Sequence, residues 1–274
     1  NNMSANSKIP QAHHRLSIHI GVNGLSFVIQ DTHTQECLLW QNHSYSFPSN
    51  DYNEWAKEVG NVFRQEEILQ KRFNRCEVLI DTHKYTLIPD SLFEAEQAVN
   101  VLRQLFEVAY LDEVNYCKLS SQEATCIYAL PAPVNAMVFK YQHKARFYAS
   151  VMPQLYFIVE RKEFSRALMH YTHSHVDLVL MQGERLLLCN SYAIDRFSTA
   201  LYFLVFALKQ WQLNPGSLNL YISGPFKPNH TKQLCTYFPS VTVATSPEGL
   251  FPSEALNLQY GPHFFPICAS SVEV

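Results

Sequence analysis

The sequence predicts an α/β protein built as two lobes, each a mixed sheet flanked by helices, and three observations carry that expectation. Strand patterns and helix patterns alternate along most of the chain, the order that arises when helices cover the faces of a sheet. Several strands, such as CEVLID (76–81) and LNLYISG (218–224), are apolar enough to be buried on both faces, as strands inside a covered sheet are. The opening order of elements also returns from His175, so the halves read as a duplication of element order without recognisable identity between them.

Composition bounds the function. The 274 residues are 47% hydrophobic and 16% charged, enough to bury one large core or two smaller ones. A net charge of -3 supplies no basic field, which argues against nucleic-acid binding, since that needs clustered Lys and Arg to displace counterions. The seven cysteines (37, 76, 117, 126, 189, 235 and 268) form no CxxC pair, and a reduced, cytoplasmic compartment fits them. The polar arm NNMSANSKIPQAHH (1–14) lacks the apolar core of a signal peptide. The longest apolar run, Ala200 to Leu208, is too short to span a bilayer, so no membrane insertion is expected.

The elements follow in order. Arg15 to Asp31 gives two strands joined at Val22-Asn23-Gly24, a strong hairpin signal, and Cys37 to Gln41 gives a third. Asp51, with Glu54 three residues on, starts a helix whose apolar positions are Tyr52, Trp55, Val59, Val62 and Phe63; it is expected to run to about Phe73. After the strand Cys76–Asp81 and a short strand from Tyr85, Ser91 and Glu94 form a second capping box. The helix behind it carries the stripe Ala98, Val101, Leu102 and Leu105. A strand (Thr125–Leu130) leads into a helix starting at prolines, and ARFYASVMPQLYFIVERKEF (145–164) reads as a further strand and helix.

From His175, HVDLVLMQ turns at Gly183-Glu184 into RLLLCNSY, and an apolar helix runs from about Ser198 to Gln212, stopped by Pro215 and Gly216. LNLYISG, a short helix up to Tyr237 and the strand SVTVAT follow. Pro247 to Pro266 reads as a packed loop crossing back over the body. The expected division is an arm (1–14), a first lobe (15–172) and a second lobe (173–274).

With those elements in place the chain resembles the actin-like ATPase fold, two ribonuclease-H-like lobes facing each other across a cleft. The phrases YTLIPDSLF (85–93), CIYALP (126–131) and NSYAIDRFSTALYFLVFALKQWQLNP (190–215) followed by LYISG are similar to an uncharacterised bacterial family, mostly from Bacteroidetes, with a degenerate actin-like fold and no established activity. The resemblance covers about Arg15 to Phe265.

That resemblance implies a nucleotide cleft, and the residues depart from it. An ATPase of this fold needs an aspartate two residues before a glycine in its first hairpin, to orient Mg²⁺ while backbone N–H groups approach the phosphates. Here the stretch reads His19-Ile20-Gly21-Val22-Asn23-Gly24, with imidazole in the carboxylate's place. In the second hairpin Asp177 is followed by Leu178, Val179 and Leu180, which would obstruct a phosphate. The adenosine-side strand ends Ser223-Gly224-Pro225, and proline removes an N–H. Gly21, Asn23, Gly24, Asp177, Ser223 and Gly224 are therefore the candidate vestigial cleft. Their simplest readings are a hairpin turn, a strand-end carboxylate bonded to a loop, and a strand-to-helix turn.

Other constellations are weaker. His170, His173 and His175 could bring two imidazoles to a metal, but a polar loop explains them as well, and no metal set is assigned. A two-metal nuclease would need Asp31, Asp81 and Asp177 to converge. No GxSxG is present, and Cys126 and Cys189 lie within apolar strands, so no catalytic residue is assigned. An exposed set such as Tyr202, Phe203 and Trp211 would mark a partner site.

The expectation is a non-catalytic cytoplasmic binding or scaffolding module with a protein partner and no cofactor. The alternative is a divergent ATPase or switch that holds ATP with Mg²⁺, which requires Asp177, Gly21, Gly24 and Gly224 to meet in one pocket. A third, a small-molecule sensor, requires a closed apolar pocket.

Overall fold

The computed structural model describes residues 12–34, 36–45, 51–172 and 174–244. Most of the expected arm, His173, Cys268 and the expected crossing loop lie outside the described residues.

The chain begins as a meander, β1 (His14–Gly21), β2 (Gly24–Asp31) and β3 (Cys37–Ser44), followed by α1 (Tyr52–Gln65) and β4 (Arg75–Ile80). An excursion then makes β5 (Tyr85–Pro89), α2 (Ala98–Leu105), β6 (Asp112–Leu119) and β7 (Ala124–Pro131). The chain returns through α3 (Ala132–Phe139), β8 (Ala145–Ala149) and α4 (Val151–Val159). A second meander of β9 (Ser165–Tyr171), β10 (His175–Gln182) and β11 (Arg185–Ala193) leads to α5 (Phe197–Gln210), β12 (Asn219–Ser223), α6 (Pro228–Tyr237) and β13 (Ser240–Val243).

The two five-stranded sheets have the same plan. One is ordered β3-β2-β1-β4-β8, the other β11-β10-β9-β12-β13, while β5-β7-β6 is a separate antiparallel sheet. In both large sheets the meander is antiparallel and the fourth strand runs parallel to the first. The duplication of element order is thus a duplication of topology.

The second copy starts one strand earlier than the sequence suggests. Its first strand is β9, SRALMHY, and His175–Gln182 is its second. β9 escapes a hydropathy reading because Arg166 and His170 interrupt the apolar run, yet both are buried. Arg166 is accommodated by donating to the carbonyls of Ile158, Glu163 and Gly183, each at 2.8 Å.

Two further expectations are corrected, and one strand is unforeseen. α1 ends at Gln65, not near Phe73, because Glu66 is extended and residues 67–70 form a separate 3₁₀ turn. The Ser91–Glu94 capping box does not form. Asp90 instead accepts from Thr125 Oγ1 at 2.6 Å, two 3₁₀ turns follow, and the helix starts at Ala98 without a side-chain cap. β6 (DEVNYCKL) carried no clear strand signal, being largely polar and only partly buried.

The core joins the two large sheets. Eight of the nine residues of α4, Val151 to Ile158, are buried. They belong to one continuous cluster that also contains Leu16, Ile18 and Ile20 of β1 and Leu168, Val179, Met181 and Tyr221 of the second sheet. Along β9 and β10 the residues of the other parity, including Met169, Leu178 and Leu180, face α5 and α6 in a second cluster.

Candidate functional site

The β1–β2 turn and the β9–β10 turn open on one cavity of about 310 Å³. Its lining includes polar residues from both sheets, His19, Asp81, His83, His170, Thr172 and His175, together with Gly21, Asn23, Gly24 and Pro225. No Lys or Arg is among the described lining residues. The cavity is open and carries many polar residues, unlike the closed apolar pocket with few polar groups that a sensor requires.

Each first strand delivers a histidine to this cavity, and each histidine is committed to a neighbour. His19, two residues from the end of β1, donates from Nε2 to Asp81 Oδ1 at 2.8 Å. Asp81 directly follows β4, and its N–H donates to the Ile20 carbonyl at 2.9 Å, which holds its carboxylate beside β1. His170, one residue from the end of β9, has its Nδ1 2.6 Å from Ser223 Oγ at the end of β12. In both lobes, therefore, an imidazole on the first strand is tied to a polar side chain at the end of the fourth. Burial holds the His170 imidazole down to about 4, the nearby Asp177 and Asp81 charges only partly opposing it. Burial also lowers His83.

The candidate cleft residues divide. Gly21, Asn23 and Gly24 line the cavity. Asp177 does not: it is 1% exposed, and accepts from Tyr85 Oη at 3.1 Å, with Gln154 Nε2 at 3.5 Å and His175 Nε2 at 3.8 Å. It thereby joins β5, α4 and β10 beneath the cavity. Ser223 lies behind His170, and Gly224 lines a separate recess of about 210 Å³ beside Phe226 and α6. The four residues that the nucleotide alternative requires do not all meet in one pocket.

The glycines are occupied by the protein itself. A Cβ on Gly24 would lie 2.5 Å from the His43 carbonyl oxygen of β3. Gly224 has φ +105°, and a Cβ there would overlap the carbonyl oxygen of Tyr171. The carbonyl of Gly21 accepts from Tyr45 Oη at 2.8 Å and Trp55 Nε1 at 3.2 Å.

Leu178, Val179 and Leu180 do not obstruct the second turn as expected. They lie inside β10, and the turn comes before it, between β9 and β10, closed by Thr172 donating from N and Oγ1 to the His175 carbonyl. The nuclease carboxylates do not converge: Asp31 ends β2 seven residues from Gly24, roughly 23 Å along the strand from the cavity. Of the HYTHSH histidines, His170 faces Ser223 and His175 contacts Thr172. Cys126 and Cys189 are buried, and burial pushes both thiols up, away from a reactive thiolate.

Sequence reasoning named His170 and Asp81 only as candidate metal ligands and missed the pairing of His170 with Ser223 and of Asp81 with His19. The available signal was the recurrence of a histidine near the end of both first strands, in SIHIG (17–21) and ALMHY (167–171), which is visible only once β9 is recognised as a first strand.

Two five-stranded sheets of one topology, with the first-strand turns of both facing a shared cavity, define the actin-like ATPase fold. A crystal structure from Bacteroides thetaiotaomicron, a protein with actin-like ATPase fold and unknown function, superposes with a TM-score of 0.77 at 21% identity, covering 85% of this chain and 91% of that one. A structure of the PilM–PilN type IV pilus biogenesis complex superposes with a TM-score of 0.57 at 12% identity over 93% of this chain and 96% of that one. Both likenesses are of fold. No curated protein matches the chain. Residues 4–241 match the family described as "Protein of unknown function (DUF3822)", and the chain belongs to that family. No helix among the described residues is long and apolar enough to cross a membrane.

Proposed function

We propose that this protein is a non-catalytic, actin-like-fold binding or scaffolding module whose nucleotide site has degenerated. The observation that carries the reading is the pair His19 and His170. Binding a magnesium triphosphate in such a cleft calls for free carboxylate oxygens for the ion and cations or open backbone N–H groups for the phosphates. Here Asp81 is engaged by His19, the described lining residues include no Lys or Arg, and Gly24 and Gly224 make room for neighbouring backbone. The divergent-switch alternative is disfavoured because Asp177 is spent on Tyr85 and lies outside the cavity.

In this reading the first lobe ends with α4 and the second begins with β9, and the ligand is another protein. The similarity to a structure that is itself a two-protein complex is in keeping with such a partner. So are the exposed side chains of Tyr202, Val205 and Phe206 on α5, where the Tyr202 and Phe206 rings stack at 5.9 Å. A cytoplasmic setting belongs to the same reading, supported by six described cysteines that are all unpaired.

The test is a thermal-shift and calorimetric titration with Mg-ATP and Mg-ADP, with phosphate release followed in parallel. The expected result is no saturable heat, no rise in Tm and no release. Binding at a hundredfold excess over Kd would stabilise the fold by about 2.7 kcal/mol, a shift that is readily seen and would overturn the proposal.

A further inference from the structure

We propose that His13, Asp31 and His33 form a binding site for one divalent transition-metal ion, with Zn²⁺ the ion best suited to its donors. The site lies at the far end of the β1–β2 hairpin from the cavity and is independent of the function proposed above.

One ligand atom from each of the three residues lies within 4.8 Å of the other two. The tightest approach, His13 Nε2 to Asp31 Oδ2, is 3.2 Å. Tetrahedral zinc with N and O ligands at about 2.1 Å places its donors roughly 3.4 Å apart, so the observed spacing requires only small rotations of the two imidazoles. The rings of His13 and His33 lie 5.0 Å apart, tilted by 33°.

The donors are positioned by backbone as well as by their own side chains. Asp31 pairs with His14 in the β1–β2 register. Its Oδ1 accepts from the N–H groups of His33 and Thr34 at 2.8 and 3.2 Å, which orients the carboxylate and leaves Oδ2 toward His13. Thr32 donates from N and Oγ1 to the His13 carbonyl, at 2.9 and 2.8 Å, closing the loop 32–34 over the strand end that carries the first imidazole. This is the supporting shell that fixes ligands in metal sites. His14 Nε2 lies 4.0 Å from the same Oδ2 but is not one of the three clustered donors, so the fourth position is left to water.

The chemistry selects the ion. Two imidazoles and one carboxylate suit Zn²⁺, Co²⁺, Ni²⁺ or Cu²⁺, whereas Mg²⁺ and Ca²⁺ take oxygen donors. Without a metal, the same contacts amount to an ordinary histidine–aspartate pair with a neighbouring exposed imidazole, and the two cases differ in what titration reads.

The full-length chain, stripped with a chelator, is titrated with Zn²⁺ by calorimetry and with Co²⁺ by absorption, before and after His33→Ala and His13→Ala. His33 is exposed, so its removal leaves the fold intact, which the unchanged melting curve of the apo variant verifies. The expected result is saturable binding of about one ion per chain, a cobalt spectrum without thiolate charge transfer, and a loss of about tenfold or more in affinity in each variant. Excess Mg²⁺ is expected not to compete. Absence of saturable binding, wild-type affinity in either variant, or a thiolate band tracing the metal to cysteine would each overturn the proposal.

Discussion

Replacing His170 by asparagine should flatten the acid side of the stability curve. His170 is 3% exposed and held in its neutral form, about 4 in the folded chain against about 6.5 when unfolded. Because the folded value is the lower one, the unfolded chain takes up the proton first as pH falls. The contribution is fully present above about pH 6.5 and is lost progressively toward pH 4. Across the whole window it amounts to roughly 3 kcal/mol, and between about pH 8 and pH 5 to roughly 2 kcal/mol. Urea unfolding of wild type and His170→Asn across this range separates the effect from the general cost of the substitution. The variant, which strips Ser223 of its partner, starts less stable at about pH 8, but it should lose roughly 2 kcal/mol less than wild type on going to about pH 5. Parallel pH profiles would refute the reasoning, and with it the picture of a neutral imidazole sealed behind the cavity.

Gly224→Ala is expected to destabilise the chain by about 2 to 4 kcal/mol, from a left-handed backbone angle and the overlap with the Tyr171 carbonyl. The Tm should fall by roughly 4–15 °C, whether or not nucleotide is present, and a variant melting with wild type would show the glycine to be free for a ligand. Tyr85→Phe should cost about 1–3 kcal/mol in chemical denaturation, because buried Asp177 keeps only the longer contacts to Gln154 and His175. An unchanged midpoint would mean that Asp177 is satisfied without the tyrosine.

Much of this fold is legible in residue order because most of its strands carry enough apolar residues to read as buried and the turns between them are chemically explicit. Val22-Asn23-Gly24 can only be a tight turn, and the pairing of Gly21 with Gly24 places it. β9 was illegible for the opposite reason. Its buried Arg166 and His170 are made tolerable by carbonyls and a serine that are remote in sequence, which no local pattern reports. That one missed strand shifted the second hairpin and put Leu178–Leu180 at a turn they do not occupy. It also made Asp177 look like a cleft ligand when it is an anchor for Tyr85. The Ser91–Glu94 box shows a related limit: Thr125 bonds to Asp90, and the helix starts further along.

The burial of α4 sets how these halves can move. Swinging the two large sheets apart would bring water to Leu155, Phe157 and Ile158 together with Leu168 and Val179, all of which are almost fully shielded. At about 1.5–3 kcal/mol for each large apolar side chain, such an excursion approaches the entire stability of an ordinary domain. The molecule is hence a welded frame and not a clamp. Whatever it recognises must be met by surfaces already in place, and changes of shape are left to the loops at the cavity rim.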